Sequence, residues 1–214
     1  MPKIKICGLT NYNDALDAVN LGADFLGFHF IKDSPKKVSE KLGAEIILKL
    51  PPFVLPVGVF ADEDRQTIAK IVKKSSLKYI QFNGSKSPQE CSQIRTELGV
   101  KVLKLFNLKK DFVSYDDILP KLQEYASCID YFLFDISYIE QDAVQYDFEA
   151  LKKVSELGFP FFVSGLASLD LLPQIIEKFS PFAFDVDTCI ERLPKRKDYD
   201  KVSLAIKSAH GLRI

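Results

Sequence analysis

The sequence is short of the residues that hold metals or cross-link small folds. Its four cysteines, Cys7, Cys91, Cys128 and Cys189, stand far apart with no CxxC pair, and only His29 and His210 could join them. That excludes the usual ligand spacing of a structural zinc site and offers no disulfide framework. A chain of 214 residues, 47% of them hydrophobic, can bury a core without such cross-links. Charge of one sign is not in excess either: 29 basic residues balance 29 acidic ones, so no overall field draws the molecule to nucleic acid or an anionic membrane. No apolar run is long enough to span a bilayer, and the start, Met1-Pro2-Lys3-Ile4-Lys5-Ile6, enters a strand-like pattern without a secretory signal. Neither a dinucleotide-binding glycine fingerprint nor a P-loop occurs. These absences lead us to expect a cytoplasmic protein with reduced thiols and a small-molecule ligand. They give no reason to expect a cofactor, a metal, a nucleic acid or a membrane partner, and they are compatible with a monomer or a homodimer.

What is present is a repeating alternation. Short runs rich in Ile, Val and Phe, near 3–7, 24–30, 54–60, 78–82, 101–106, 131–135, 160–163 and 182–186, read as strands. Between them, stretches near 12–21, 39–49, 63–74, 87–97, 115–125, 147–157, 168–179 and 198–209 carry apolar residues three or four apart, as amphipathic helices do. Asn11 and Asn13 precede the first helix, Ser39 the second, and Ser87-Pro88 opens the fourth, while Gly22, Gly99 and Gly158 follow helices. No linker or low-complexity tract interrupts the series. The fold class is therefore α/β, one (β/α)8 barrel domain over residues 1–214; a doubly wound open sheet would give similar periodicity.

In such a barrel the chemistry gathers at the C-terminal ends of the strands. The first strand ends Lys5-Ile6-Cys7, and alternation turns Lys5 and Cys7 into the barrel while Ile4 and Ile6 face the helices. An ammonium beside a thiol favours thiolate and lowers the cysteine pKa, which makes Cys7 a candidate base or nucleophile; the plainer alternative is a small buried hydrophobe. Strand six ends in Asp135 after four apolar or aromatic residues, a setting in which a carboxyl can keep its proton and act as a general acid. Asp185 ends strand eight, the neighbour of strand one, and is assigned to hold Lys5.

These residues fall within a longer pattern: KICGLT at 5–10, GADFLGFHF at 22–30, SPK at 34–36, VGVF at 57–60, QFNG at 81–84 and FD at 134–135. YDF at 146–148, SGL at 164–166, DVDTCIE at 185–191 and KD at 197–198 continue it. In order and spacing the chain resembles the phosphoribosylanthranilate isomerase family. The resemblance implies an Amadori rearrangement in tryptophan biosynthesis, acting on a phosphosugar, with Asp135 opening the ribose ring as acid and Cys7 abstracting a proton as base. It implies that Lys36 meets the anthranilate carboxylate where the family carries arginine, although lysine lacks the two-pronged grip. Asn83 stands where histidine is usual. The phosphate loops differ most: Glu140-Gln141-Asp142-Ala143, Ser164 and Asp187-Thr188-Cys189 replace glycine-rich stretches, leaving Gly165, Ser164 and Thr188 as donors and bringing carboxylates toward a dianion. Lys195, Arg196 and Lys197 read either as a source of positive charge from the last βα loop or, in preference, as a solvated basic turn, and His29 as either facing the ligand or packed. A second reading follows from the altered loops: a catalytically silent or repurposed barrel that binds a less anionic small molecule.

Overall fold

Strand alternation sorts the side chains into two shells. In the computed structural model, which describes residues 1–108, 110–112, 114–140, 143–146 and 148–211, eight parallel strands close into a barrel. Its elements, in chain order, begin with β1 (Lys3–Ile6), α1 (Tyr12–Leu21), β2 (Phe25–His29), α2 (Glu40–Ile47), β3 (Leu55–Phe60), α3 (Arg65–Ser75), β4 (Tyr79–Phe82) and α4 (Pro88–Leu98). There follow β5 (Lys101–Asn107), α5 (Ile118–Ala126), β6 (Tyr131–Asp135), β7 (Ser137–Glu140), β8 (Ala143–Tyr146), α6 (Phe148–Glu156), β9 (Phe161–Ser164) and α7 (Leu172–Phe179). The chain ends with β10 (Ala183–Val186), β11 (Glu191–Leu193), β12 (Arg196–Lys197) and α8 (Tyr199–Ala209). The barrel order is β1-β10-β9-β6-β5-β4-β3-β2, and closure is made by β1 on β10, with Lys3 opposite Ala183 and Lys5 opposite Asp185.

Ile4, Ile6, Leu26, Phe28, Ile80, Phe82, Phe134 and Phe184 point outward into the layer between sheet and helices. At ~1.5–3 kcal/mol for each large side chain withdrawn from water, this shell carries most of the barrel's cohesion. The inner face is divided along the axis. Phe25, Val57, Leu103, Leu133, Phe162 and Ala183 form an apolar floor, tied by edge-to-face contacts of Phe162 with Phe25 (5.5 Å) and Tyr131 (5.6 Å). Above the floor the inner positions turn polar, starting with Lys5 and Asp185. Gly27 makes that change possible. A Cβ there would stand 2.5 Å from the Cys7 sulfur and 3.1 Å from the Lys5 ammonium nitrogen.

Local signals act as expected at most helix ends. Ser39 accepts from the Leu42 N–H, and Ser87 and Glu90 form a reciprocal capping box ahead of Pro88. Asn11 alone caps α1; Asn13, read as a second cap, lies inside the first helical turn. The fifth and seventh helices are preceded by single 3-10 turns, Tyr115–Asp117 and Leu169–Leu171, so their α-helical parts begin later than the apolar period does. Two antiparallel hairpins were not expected: β7 pairs with β8 after the sixth barrel strand, and β11 with β12 after the eighth. The second folds back onto the start of the chain, where Thr10 donates to the Lys195 carbonyl and the Lys197 N–H donates to buried Asp14. No helix among the described residues is long and apolar enough to cross a membrane.

Candidate active site

The polar inner positions converge on a cavity of about 350 Å³ at the C-terminal ends of the strands. Cys7, His29, Gln81 and Asn83 line one side, and Ser164, Gly165, Asp185, Asp187 and Thr188 the other. A larger groove, about 670 Å³, lies between the loops after β2 and β3, but its polar lining is mainly Asp33, Glu40, Asp62, Glu63 and Asp64 and it holds none of the strand-end thiol chemistry. Size does not locate the site here; convergence of titratable groups does.

Lys5 is fully buried and donates to Asp185 Oδ2 at 2.8 Å and to Cys7 Sγ at 3.0 Å. Burial alone would pull the ammonium down, yet Asp185 and Cys7 hold it above the ordinary lysine range. Cys7 behaves differently from expectation. Burial first, and then the negative charge of Asp185, push its thiol up to about 12, and the opposing pull of Lys5 does not compensate. The reasoning that an ammonium neighbour would lower this pKa is corrected by the burial of the thiol and by the carboxylate that shares the same ammonium. His29 approaches the sulfur with Nε2 at 3.4 Å. Burial, aided by Lys5, Lys36 and Lys197 and opposed by Asp187, lowers its pKa to about 4, so the ring is neutral near pH 7.

Lys36 does not project freely into the cavity. Its ammonium lies 2.6 Å from Asp187 Oδ1, 3.0 Å from Glu191 Oε1 and 3.2 Å from the Thr188 hydroxyl. Lys197 reaches the same carboxylates, at 2.7 Å to Asp187 and 3.4 Å to Glu191, and also the Asp187 carbonyl at 2.9 Å. It is 6% exposed, so the solvated basic turn read at 195–197 is corrected at this residue: Lys197 is a buried ion-pair partner. Against burial, which would raise it, Lys197 and Lys36 bring Asp187 to about 2. Two ammoniums and two carboxylates thus form a balanced network at the rim, and the charge of Asp187 is spent within it.

Asp135 ends β6 beside Gly165, where a Cβ would collide with its carboxylate. Its Oδ1 accepts from the Ser137 N–H (2.9 Å) and hydroxyl (2.7 Å). It is not among the residues lining the cavity, although its neighbours Ser137, Ser164 and Gly165 are. Asn83 accepts from the Gln81 amide at 2.7 Å, which leaves Gln81 Oε1 buried without a partner among the described residues; Asp185 Oδ1 is in the same state. Two unpaired acceptors in one cavity suit a ligand with hydroxyl donors. The acidic replacements at 140–142 lie outside the described residues, apart from the backbone of Glu140.

Cys7, His29 and Asp187 present ligating atoms all within 4.8 Å of one another. The donor types would serve a soft divalent cation, but Lys5, Lys36 and Lys197 already neutralise the anions around them, so the electrostatics suit proton transfer better than a metal. Sequence reasoning missed Gln81 and Glu191, preferred a solvated turn for Lys197, and left His29 open. The signal for His29 was present: Phe25, Gly27 and His29 alternate inward on β2 as Lys5 and Cys7 do on β1. Glu191 gave no such signal, because its partner Lys36 is distant in sequence and only the fold brings them together.

Comparison with known proteins converges on one family. Residues 4–208 match the protein-family model described as N-(5'phosphoribosyl)anthranilate (PRA) isomerase. An N-(5'-phosphoribosyl)anthranilate isomerase from Geobacter sp. (strain M21) is 33% identical over 214 residues, covering 99% of this chain and 100% of that one. A crystal structure of phosphoribosyl anthranilate isomerase in complex with reduced 1-(o-carboxyphenylamino)-1-deoxyribulose 5-phosphate superposes with a TM-score of 0.85 at 29% identity, covering 99% of this chain and 100% of that one. Monomers generated from the dimeric Thermotoga maritima enzyme give 0.84 at 28% identity over the same shares. The barrel, its strand-end thiol and a match that runs nearly end to end place this chain in the N-(5'-phosphoribosyl)anthranilate isomerase family.

Proposed function

We propose that this chain isomerises N-(5'-phosphoribosyl)anthranilate to the 1-amino-1-deoxyribulose 5-phosphate isomer in tryptophan biosynthesis. The observation that carries the reading is the pairing of a full-length family match with Cys7 and Asp185 on the wall of the barrel-mouth cavity. In this reading Asp135 gives its proton to the ribose ring oxygen; the bond from that oxygen to C1 breaks, and the nitrogen lone pair forms the imine. Both Ser137 contacts fall on Oδ1, which leaves Oδ2 as the oxygen that faces the ring oxygen in this step. Cys7, as thiolate, removes the proton from C2, and the resulting enolamine tautomerises to the ketone. Lys5 stays charged and balances the thiolate as it forms.

Gln81 Oε1 and Asp185 Oδ1 accept sugar hydroxyls, and Asn83 orients Gln81. Ser164, Gly165 and Thr188 offer donors to the phosphate. The objection that Asp187 would repel a dianion loses force, since Lys36 and Lys197 neutralise it. Lys36 faces the substrate carboxylate from within that network. The remaining parts of the reading are one barrel domain over 1–214, a cytoplasmic setting, and a monomer or homodimer. The commitment of Lys36 to Asp187 and Glu191 favours the second reading, a repurposed barrel with a less anionic ligand. An isomerisation assay with phosphoribosylanthranilate separates them. Turnover that falls ~10²–10⁴-fold in Cys7→Ala and Asp135→Asn supports the enzyme with this acid and base; no turnover by the wild type at high enzyme concentration sinks it.

A further inference from the structure

His29 is a histidine whose two ring nitrogens are both engaged, one of them by the candidate base. Nδ1 lies 3.0 Å from the Ser34 hydroxyl, and Nε2 lies 3.4 Å from Cys7 Sγ. The Ser34 oxygen already accepts the Lys36 backbone N–H at 3.2 Å, so its hydroxyl proton is available to His29. If Ser34 donates to Nδ1, the proton of a neutral imidazole must reside on Nε2, aimed at the sulfur. We propose that His29 is a positioning residue that holds the Cys7 thiolate by an Nε2–H···Sγ hydrogen bond, in a tautomer fixed by Ser34.

The surroundings agree with a neutral ring. Facing the pair are Lys5 from β1, Asp185 and Asp187 from the end of β10, Lys36 from the loop after β2 and Lys197 from β12. Burial and then the three ammoniums, together outweighing the opposing charge of Asp187, disfavour an imidazolium, so His29 donates without carrying a positive charge of its own. The sulfur then has two donors, Lys5 at 3.0 Å and His29 at 3.4 Å, and the second is not shared with a carboxylate. Where Asp185 competes for the Lys5 ammonium, His29 supplies the donor that Asp185 cannot draw away. The inference rests on the proposed role of Cys7 as base.

The test is the rate at which iodoacetamide alkylates Cys7, read on its own peptide by mass spectrometry between pH 6 and 10, beside kcat and KM for the isomerisation. Removing the donor in His29→Val is expected to slow alkylation about tenfold at each pH below the plateau, equivalent to about one pH unit in the thiol, and to lower kcat by a similar factor with KM within about twofold. His29→Gln, which keeps an N–H, is expected to recover most of the rate. Ser34→Ala frees the tautomer and is expected to give a smaller change of the same sign. Superimposable alkylation profiles for wild type and His29→Val would overturn the proposal, and if that variant does not fold, an unchanged profile in Ser34→Ala would do so. Failure of the base assignment looks different: Cys7→Ala would retain turnover while the alkylation shift in His29→Val persisted.

Discussion

Lys5 and Lys104 are both buried strand lysines, and the barrel treats them in opposite ways. Lys5 points into the barrel and meets Asp185 at 2.8 Å, and its pKa rises. Lys104 points outward from β5 beneath the helices, 5% exposed, and donates to the Leu105 carbonyl at 2.8 Å. Its charge rests over the Phe106 ring, 4.8 Å from the centroid, with no carboxylate in ion-pair contact among the described residues. Burial, the leading influence, lowers its pKa, and Lys121 adds to the effect. The cost of withdrawing an ammonium from water is similar in both places; the partner decides whether the charge survives. A carbonyl and a ring face soften that cost, whereas a carboxylate overcomes it. Of these two lysines, the one whose charge its surroundings favour is the one beside Cys7, where the proposed chemistry has use for it.

The largest effect that could break this comparison is in the pH profile. If Cys7 must lose a proton from a thiol near 12, the thiolate fraction grows about tenfold per pH unit, so the rate at which iodoacetamide alkylates Cys7 should climb roughly a thousandfold from pH 6 to 9 without a plateau. A plateau below pH 8 would mean that Lys5 wins over Asp185 after all. Next, Lys5→Met should destabilise the fold by ~3–5 kcal/mol in urea unfolding, because it leaves Asp185 buried and unpaired. Lys104→Met removes a buried charge with no carboxylate to strand, and should leave the protein equally stable or about 1 kcal/mol more so, with activity within about twofold. Smallest is the alkaline effect. The lowered pKa of Lys104 means that the unfolded state binds more protons between the folded and unfolded values, so stability rises with pH in that window. The gap between wild type and Lys104→Met should therefore narrow as pH rises from 7 to 10; a gap that widens would show that this lysine is stabilised in its charged form.

The barrel could be read from the chain because period-two and period-3.6 patterns are local. The expected strand at 131–135 has the observed limits, and the one at 182–186 begins one residue before Ala183. The added hairpins were not legible. β11 and β12 are three and two residues long, too short for any period, and the turn between them places Lys195 at positive φ without glycine to announce it. Ser76 and Ser180 likewise end helices in the left-handed region where glycine was the expected sign. At the site, Lys5, Cys7 and Asp185 could be brought together by alternation and barrel closure. The Lys36–Asp187–Lys197–Glu191 network could not, since Lys36 and Asp187 lie on loops and Glu191 and Lys197 on a hairpin too short to show a period.

Gly27 has a consequence for how this site could change. A single methyl at that position lands on the sulfur of Cys7 and near the Lys5 ammonium, so every alternative residue competes for space with the two groups that define the mouth of β1. Phe25, one pleat below, packs in the apolar floor, whose side chains can repack around Leu or Met. Selection for activity from a library randomised at both positions would return a family of sequences at 25 and glycine alone at 27. Evolutionary freedom in this barrel, like its polarity, thus changes over a single inward step along one strand.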